Sequence, residues 1–232
     1  MRKGFADLFI AQFNSLFYGV AFALIGWTIA FFYGASYGLT LTASSAFMLI
    51  APVLALGLYA LSHQIEQGET PRLRTTLTVW RGNMANIALY ALVTGVVGLI
   101  WARAAVVIFA VFYNTGLPSA GEFVTAIMRL DNIEFVVAYF GVGALFATFV
   151  FAISVVAIPL MYDRKTDAIT AMLLSLAVVA RNPGAMVVWA SLLVALVSLG
   201  FLTGFLGLVY TAPIAGHATW HAYRALIPAR ED

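Results

Sequence analysis

The sequence predicts an all-α fold: a single polytopic membrane domain over residues 1–232, with about six transmembrane helices arranged as three proline-bearing hairpins and flanked by cytoplasmic interfacial helices. Three observations carry this. Hydrophobic residues make up 63% of the chain and charged residues 9%, whereas a soluble domain carries about 25% charged residues. Several apolar runs reach the ~18 residues that a bilayer crossing requires. The basic residues collect at the ends of these runs that fall on one side.

The elements follow in order. The first run, Ser15–Tyr33, extends too far for the 7–15-residue core of a signal peptide and is expected to be retained as a helix. The second, Leu41–Leu61, carries Pro52 toward its inner end. "GETPRLRTTLTVWRGN" then reads as a loop entering a basic, partly amphipathic segment in contact with lipid. Asn86–Tyr113 is the third run, and Arg103 stands inside it. A charge there either snorkels beside Trp101 to the outer interface or pairs with Glu122, Asp131 or Glu134. The apolar stretch beyond Arg103 implies a tilted, broken or bent helix. The fourth run, Phe135–Met161, contains Pro159 and a small-residue packing face at Gly141, Gly143, Ala144 and Ala147.

Residues 168–180 are short and flanked by Asp163, Arg164, Lys165, Asp167 and Arg181, and read as a helix lying at the cytoplasmic interface. Asp163 or Thr166 is expected to cap it, with Asp167 in its first turn. The last stretch, 184–222, is nearly long enough for two crossings. "GFLTGFLG", with Gly200, Gly204 and Gly207, would turn it into a hairpin whose second arm carries Pro213.

With this assignment Arg2, Lys3, Arg72, Arg74, Arg81, Arg164, Lys165, Arg181, Arg224 and Arg230 share one side, and Arg129 sits opposite with Glu122, Asp131 and Glu134. The positive-inside rule makes the first side cytoplasmic, with both termini inside. Cysteines placed at Ser36 and Ser119 would then react from outside, and one at Thr75 would not. A weak threefold pattern supports the map. Asn14, Asn83 and Asn182 each precede an odd-numbered span, and Pro52, Pro159 and Pro213 recur toward the inner ends of the even ones. Each proline removes a helix hydrogen bond and kinks its span. The freed carbonyls need partners, so the kinks either shape the packing or frame an inward-facing vestibule.

The most polar stretch is "GHATWHAYR", Gly216–Arg224. His217 and His221 lie one turn apart on one helix face, extended by Arg224. They could hold a metal with Asp163 and Asp167 completing the shell, or anchor a helix end with Trp220 at the headgroups. A polar stripe facing lipid tails is costly, so His217 is expected to turn toward protein. Two histidines four apart on one helix cannot take opposite axial positions on a haem. The chain has no cysteine, which removes disulfides, thiolate metal sites and thiol catalysis. It shows no phosphate loop, no Ser-His-Asp order and no carboxylate pair within the spans, so an enzyme is not the favoured reading and no cofactor is expected beyond a metal. Nucleic acid is not an expected partner, since the small basic excess lies at membrane boundaries.

"LIAPVLALGLYALSHQIEQGETPRL", "IPLMYDRKTDAITAMLLSLAVVARNPGAMVVWA" and "APIAGHATWHAYR" together resemble a prokaryotic integral-membrane family known as domain of unknown function 2189. Some of its members carry a label as cytochrome c oxidase subunits. The resemblance implies a six-span inner-membrane protein and assigns no catalytic residue. It implies a basic residue at position 63, where this chain has His63, so His63 is set aside as a ligand candidate. Two functions compete: a non-catalytic accessory or assembly subunit of a respiratory-type membrane complex, partnered by lipid and by other membrane subunits, and a small-molecule or lipid transporter built on kinked repeats.

Overall fold

In the computed structural model, residues 1–35, 37–113 and 132–227 are described, and every regular element among them is helical. A short helix, a long helix and a proline-bearing helix recur three times. The first set is α1 (Arg2–Ala11), α2 (Phe13–Ala35) and α3 (Tyr37–Glu66). The second is α4 (Leu73–Thr76) with a 3-10 turn at Val79–Asn83, then α5 (Met84–Phe112), then α6 (Ile133–Ser154) bent into α7 (Ala157–Asp163). The third is α8 (Ala168–Arg181), α9 (Pro183–Leu202) and α10 (Leu208–Leu226). The three asparagines anchor the starts of the long helices. Asn14 donates to the Pro71 carbonyl, Asn83 to those of Met161 and Thr166, and Asn182 to that of Val178.

Four stretches are long and apolar enough to cross a membrane: Phe13–Tyr33, Leu73–Phe112, Ile133–Asp163 and Pro183–Leu202. The protein is thus an all-helical, multi-pass membrane protein. Neither α3, which holds the expected run Leu41–Leu61, nor α10 joins this list, and for α10 the packing shows how a less apolar helix is accommodated. α10 is enclosed by α1, α2, α3 and α9, and His217, Ala218, Trp220 and Tyr223 are fully buried. A helix shielded from lipid by other helices can carry polar groups.

The enclosure depends on close approach. A Cβ on Gly19 of α2 would overlap the Val209 carbonyl of α10. One on Gly4 of α1 would come within 2.7 Å of the Ala218 amide nitrogen. Small residues at such crossings let backbones touch, which supplies the packing that drives helix association in lipid. The small residues of α6 behave differently. A Cβ on Gly143 would meet Trp101 at 3.1 Å, whereas nothing lies within 4 Å of Gly141, and Ala144 and Ala147 are exposed.

The prolines act in distinct ways. Pro52 and Pro213 lie inside continuous helices. At the α6–α7 junction, four residues before Pro159 and beyond, the ladder opens. The Ser175 hydroxyl enters it, donating to the Ala152 carbonyl at 2.8 Å and accepting from the Val156 amide at 3.1 Å. A side chain inserted into the i→i−4 ladder is a recognised cause of a helix kink. α8 supplies that serine from its buried stripe of Ala168, Ala171, Met172 and Ser175. The expected cap of α8 is corrected. Asp167, not Asp163 or Thr166, is the N-cap residue and accepts from the Thr170 amide at 2.9 Å.

"GFLTGFLG" forms the expected turn between α9 and α10. Gly204 takes φ +63°, and the Trp27 indole donates to its carbonyl at 2.7 Å. α5 runs unbroken through Arg103. Its 29 residues span about 43 Å at 1.5 Å per residue, longer than a ~30 Å hydrocarbon core. Arg103 is exposed and forms no ion pair with Glu134 among the described residues. Glu122, Arg129, Asp131 and Arg230, and the labelling positions Ser36 and Ser119, lie outside the described residues.

Candidate functional site

Two polar layers sit on α10, one helical turn apart. The upper layer is built around His217. α1 ends at Gln12, whose φ of 37° breaks the helix before α2 begins. This bend lets Ser15 of α2 approach the His217 imidazole while Asp7 of α1 approaches that of His221. Ser62 of α3 closes the layer. Its hydroxyl donates to Asp7 Oδ2 at 2.6 Å and lies 2.7 Å from His217 Nδ1. A serine has one proton to give. With that proton on the Asp7 bond, Nδ1 of His217 must donate to Ser62. Nε2 of the neutral ring then accepts from the Ser15 hydroxyl, 2.8 Å away. Asp7 Oδ2 also receives His221 Nε2 at 2.8 Å. Five side chains from four helices are thereby joined.

The lower layer brings the three proline-bearing elements together. Arg224 donates to Glu66 of α3 at 3.0 Å and to Asp163 of α7 at 3.2 Å. The Tyr223 hydroxyl donates to Asp163 at 2.5 Å, and the Trp220 indole donates to Glu66 at 3.1 Å. The guanidinium also lies over the Trp220 ring, 4.9 Å from its centroid. Tyr59, His63 and Tyr162 pack around that indole. The fully buried Trp220 therefore stands where an inward-facing vestibule between the kinks was the alternative.

The four residues expected to share a metal are divided. His217 bonds two serines, His221 bonds Asp7, Asp163 serves Tyr223 and Arg224, and Asp167 caps α8. Among the described residues no group of three or more histidine and carboxylate side chains is placed to hold a metal ion. His217 does turn toward protein, and its partners are hydroxyls. Asp167, at the surface, has its carboxyl held below the usual range, chiefly by the hydrogen bond from the Thr170 amide.

Asp7, Ser15, Ser62 and Glu66 complete the layers and were not singled out from sequence. One hint existed: Asp7 is the only acid before Glu66. The chain does assemble serine, histidine and aspartate after all, with Ser62 interposed between His217 and Asp7. This resembles the nucleophile–base–orienter logic of acyl transfer, with both Ser15 and Ser62 fully buried. The arrangement locks α1, α2, α3 and α10 together.

No curated protein and no solved structure matches the chain. A family model described as "Predicted integral membrane protein (DUF2189)" matches residues 39–163. The matched region covers α3 to α7 and stops before "GHATWHAYR". It includes Ser62 and Glu66 of the two layers, together with Asp163, Pro52 and Pro159. The chain belongs to the DUF2189 family of integral membrane proteins.

Proposed function

We propose that the protein is a non-catalytic accessory or assembly subunit of a respiratory-type complex in the inner membrane, crossing six times with both termini cytoplasmic. The observation that carries this reading is the contrast between the inside and the outside of the helix bundle. Inside, His217 is held by two serines, His221 by Asp7, and Asp163 and Glu66 by α10. Outside, α6 presents Gly141, Ala144 and Thr148 on one exposed face, with open space around Gly141. Small residues at i, i+3 and i+7 suit close approach by a second transmembrane helix. A transporter is the weaker reading, because Trp220 fills the place where the three kinked elements meet.

The test is extraction in mild detergent or lipid nanodiscs, followed by native gels and mass spectrometry. Defined membrane subunits should co-migrate with the wild type and be lost from Gly141→Leu/Ala144→Leu, while the variant itself stays folded. A wild-type chain migrating alone overturns the subunit reading. Substrate flux by the purified chain in vesicles would favour the transporter.

A further inference from the structure

The three repeats pack on one another in a ring, and the ring fails at one place. In each repeat the short helix packs on the proline-bearing element of the repeat before it: α4 on α3, α8 on α6 and α7, and α1 on α10. Two of the three long helices do the same, α5 on α3 and α2 on α10. The third pair does not form. α6 and α9 do not pack together, although α8 touches both. This leaves two matching exposed faces. On α6 they are Gly141, Ala144 and Thr148, and on α9, read in the opposite direction, Ser198, Ala195 and Ser191, at the same spacing of three and then four. Counted from the inner ends of α6 and α9 at 1.5 Å per residue, Thr148 and Ser191 lie at about 9 and 12 Å, Ala144 and Ala195 at about 15 and 18 Å, and Gly141 and Ser198 at about 20 and 22 Å. The two rows share one register and run antiparallel. A Cβ placed on Gly141 would meet nothing within 4 Å. Among the described residues the Thr148 and Ser198 hydroxyls have no hydrogen-bond partner, whereas Ser191 bonds back to the Val187 carbonyl. A hydroxyl left unpaired against lipid is costly.

We infer that a second copy of this chain covers the open pair, with α6 of each copy lying against α9 of the other. The contact is one that the chain already makes twice within itself: a proline-bearing helix against the long helix that follows it in ring order. Each copy has one of each left over, so a twofold axis along the membrane normal closes both pairs at once, as an isologous interface requires. Such an axis keeps every residue at its own depth. Gly141 then meets Ser198, Ala144 meets Ala195, and Thr148 meets Ser191 of the other copy. Small residues at all three levels let the backbones approach, and the hydroxyls gain partners across the contact. Acyl chains would cover the same faces but offer the hydroxyls nothing. The inference rests on the accessory-subunit reading in using the same exposed α6 face, and it names the helix that covers it.

The experiment uses the full chain, which has no native cysteine. Two differently tagged copies, one carrying Thr148→Cys and the other Ser191→Cys, are co-expressed, and their membranes are oxidised with copper phenanthroline. A disulfide-linked species bearing both tags should form. Leu92→Cys, exposed on α5, paired with Ser191→Cys should not form one, because bridged cysteines need Cα atoms within about 7 Å. In a second arm the purified wild type in mild detergent should give a dimer by native mass spectrometry. Gly141→Leu/Ser198→Leu should weaken that dimer about tenfold, the effect of crowding a close helix crossing, with unchanged helical content. No cross-link above the Leu92 control, a dimer indifferent to the leucine pair, or cross-linking of Thr148→Cys to a different protein overturns the second copy as occupant. The two readings fail separately. A dimer of this chain alone keeps the inference and removes the larger complex, whereas a complex holding a single copy keeps the subunit reading and overturns the inference.

Discussion

His217 must satisfy two ring nitrogens without water, and Ser15 and Ser62 do so from helices far away in the chain. Ser62 serves two partners, Asp7 and His217, while Ser15 serves one. Removing a buried partner strands the group it served, at about 1–3 kcal/mol. Ser62→Ala should therefore destabilise the protein by more than Ser15→Ala in thermal unfolding, with the larger loss toward the upper end of that range. Equal losses would show that the Asp7 bond contributes nothing. Elemental analysis of wild type, His217→Ala and His221→Ala should show no stoichiometric zinc, iron, copper or manganese in any of them. A metal present in wild type and lost in both variants would overturn the hydroxyl-bonded reading of His217. This layer was only half legible beforehand. Two histidines at i and i+4 declare a face by spacing alone. Their partners stand up to 214 positions away, and a serine in an apolar helix looks the same whether it meets an imidazole or its own backbone.

Helices are easier to read than their capping and kinking devices, because apolar length is a bulk property and a kink depends on one hydroxyl. The runs around Ser15–Tyr33, Asn86–Tyr113 and Phe135–Met161 all became helices. The α6–α7 bend needed Ser175 from another element. Ser175→Ala should cost about 1–3 kcal/mol by leaving the Val156 amide and Ala152 carbonyl unpaired, measured by thermal unfolding. A neutral result would mean that the ladder re-forms without the serine. Glycines divide in the same way. Gly19→Ala should collapse folded yield, because its Cβ meets backbone on α10, while Gly141→Ala should leave yield unchanged. At the start of α8 the Asp167 carboxyl is held below its ordinary range in the fold. A depressed carboxyl stabilises above its unfolded pKa, and that contribution fades as pH falls through the folded value. Thermal stability of wild type relative to Asp167→Asn should therefore fall on acidification below the usual carboxylate range. An acid-independent difference would remove the charge from the cap's role.

Across the whole molecule, the threefold recurrence of short, long and proline-bearing helices was visible in the spacing of Asn14, Asn83 and Asn182 and of the three prolines. The central place of α10 was not. A hydropathy reading scores a helix against lipid, and α10 meets helices instead. The same burial leaves the proposed six-crossing map open to a direct measurement. The chain has no native cysteine, so single-cysteine variants need no altered background. Leu206→Cys, in the α9–α10 turn, should react with an impermeant reagent applied to intact cells. Thr75→Cys, within α4, should react only after lysis. The reverse pattern inverts the map, and reaction of both from one side removes a crossing between them.

The bond between Asp7 and His221 joins residues 214 positions apart in the chain. While the ribosome is still at work, the Asp7 carboxylate has no imidazole to meet, and α1 has no α10 to lie against. The growing chain therefore carries an unmet acid on α1 until α10 has been made. A prematurely ended chain never loses that mark. A chain terminated after Leu202 should therefore be cleared within the cell far faster than one that includes α10.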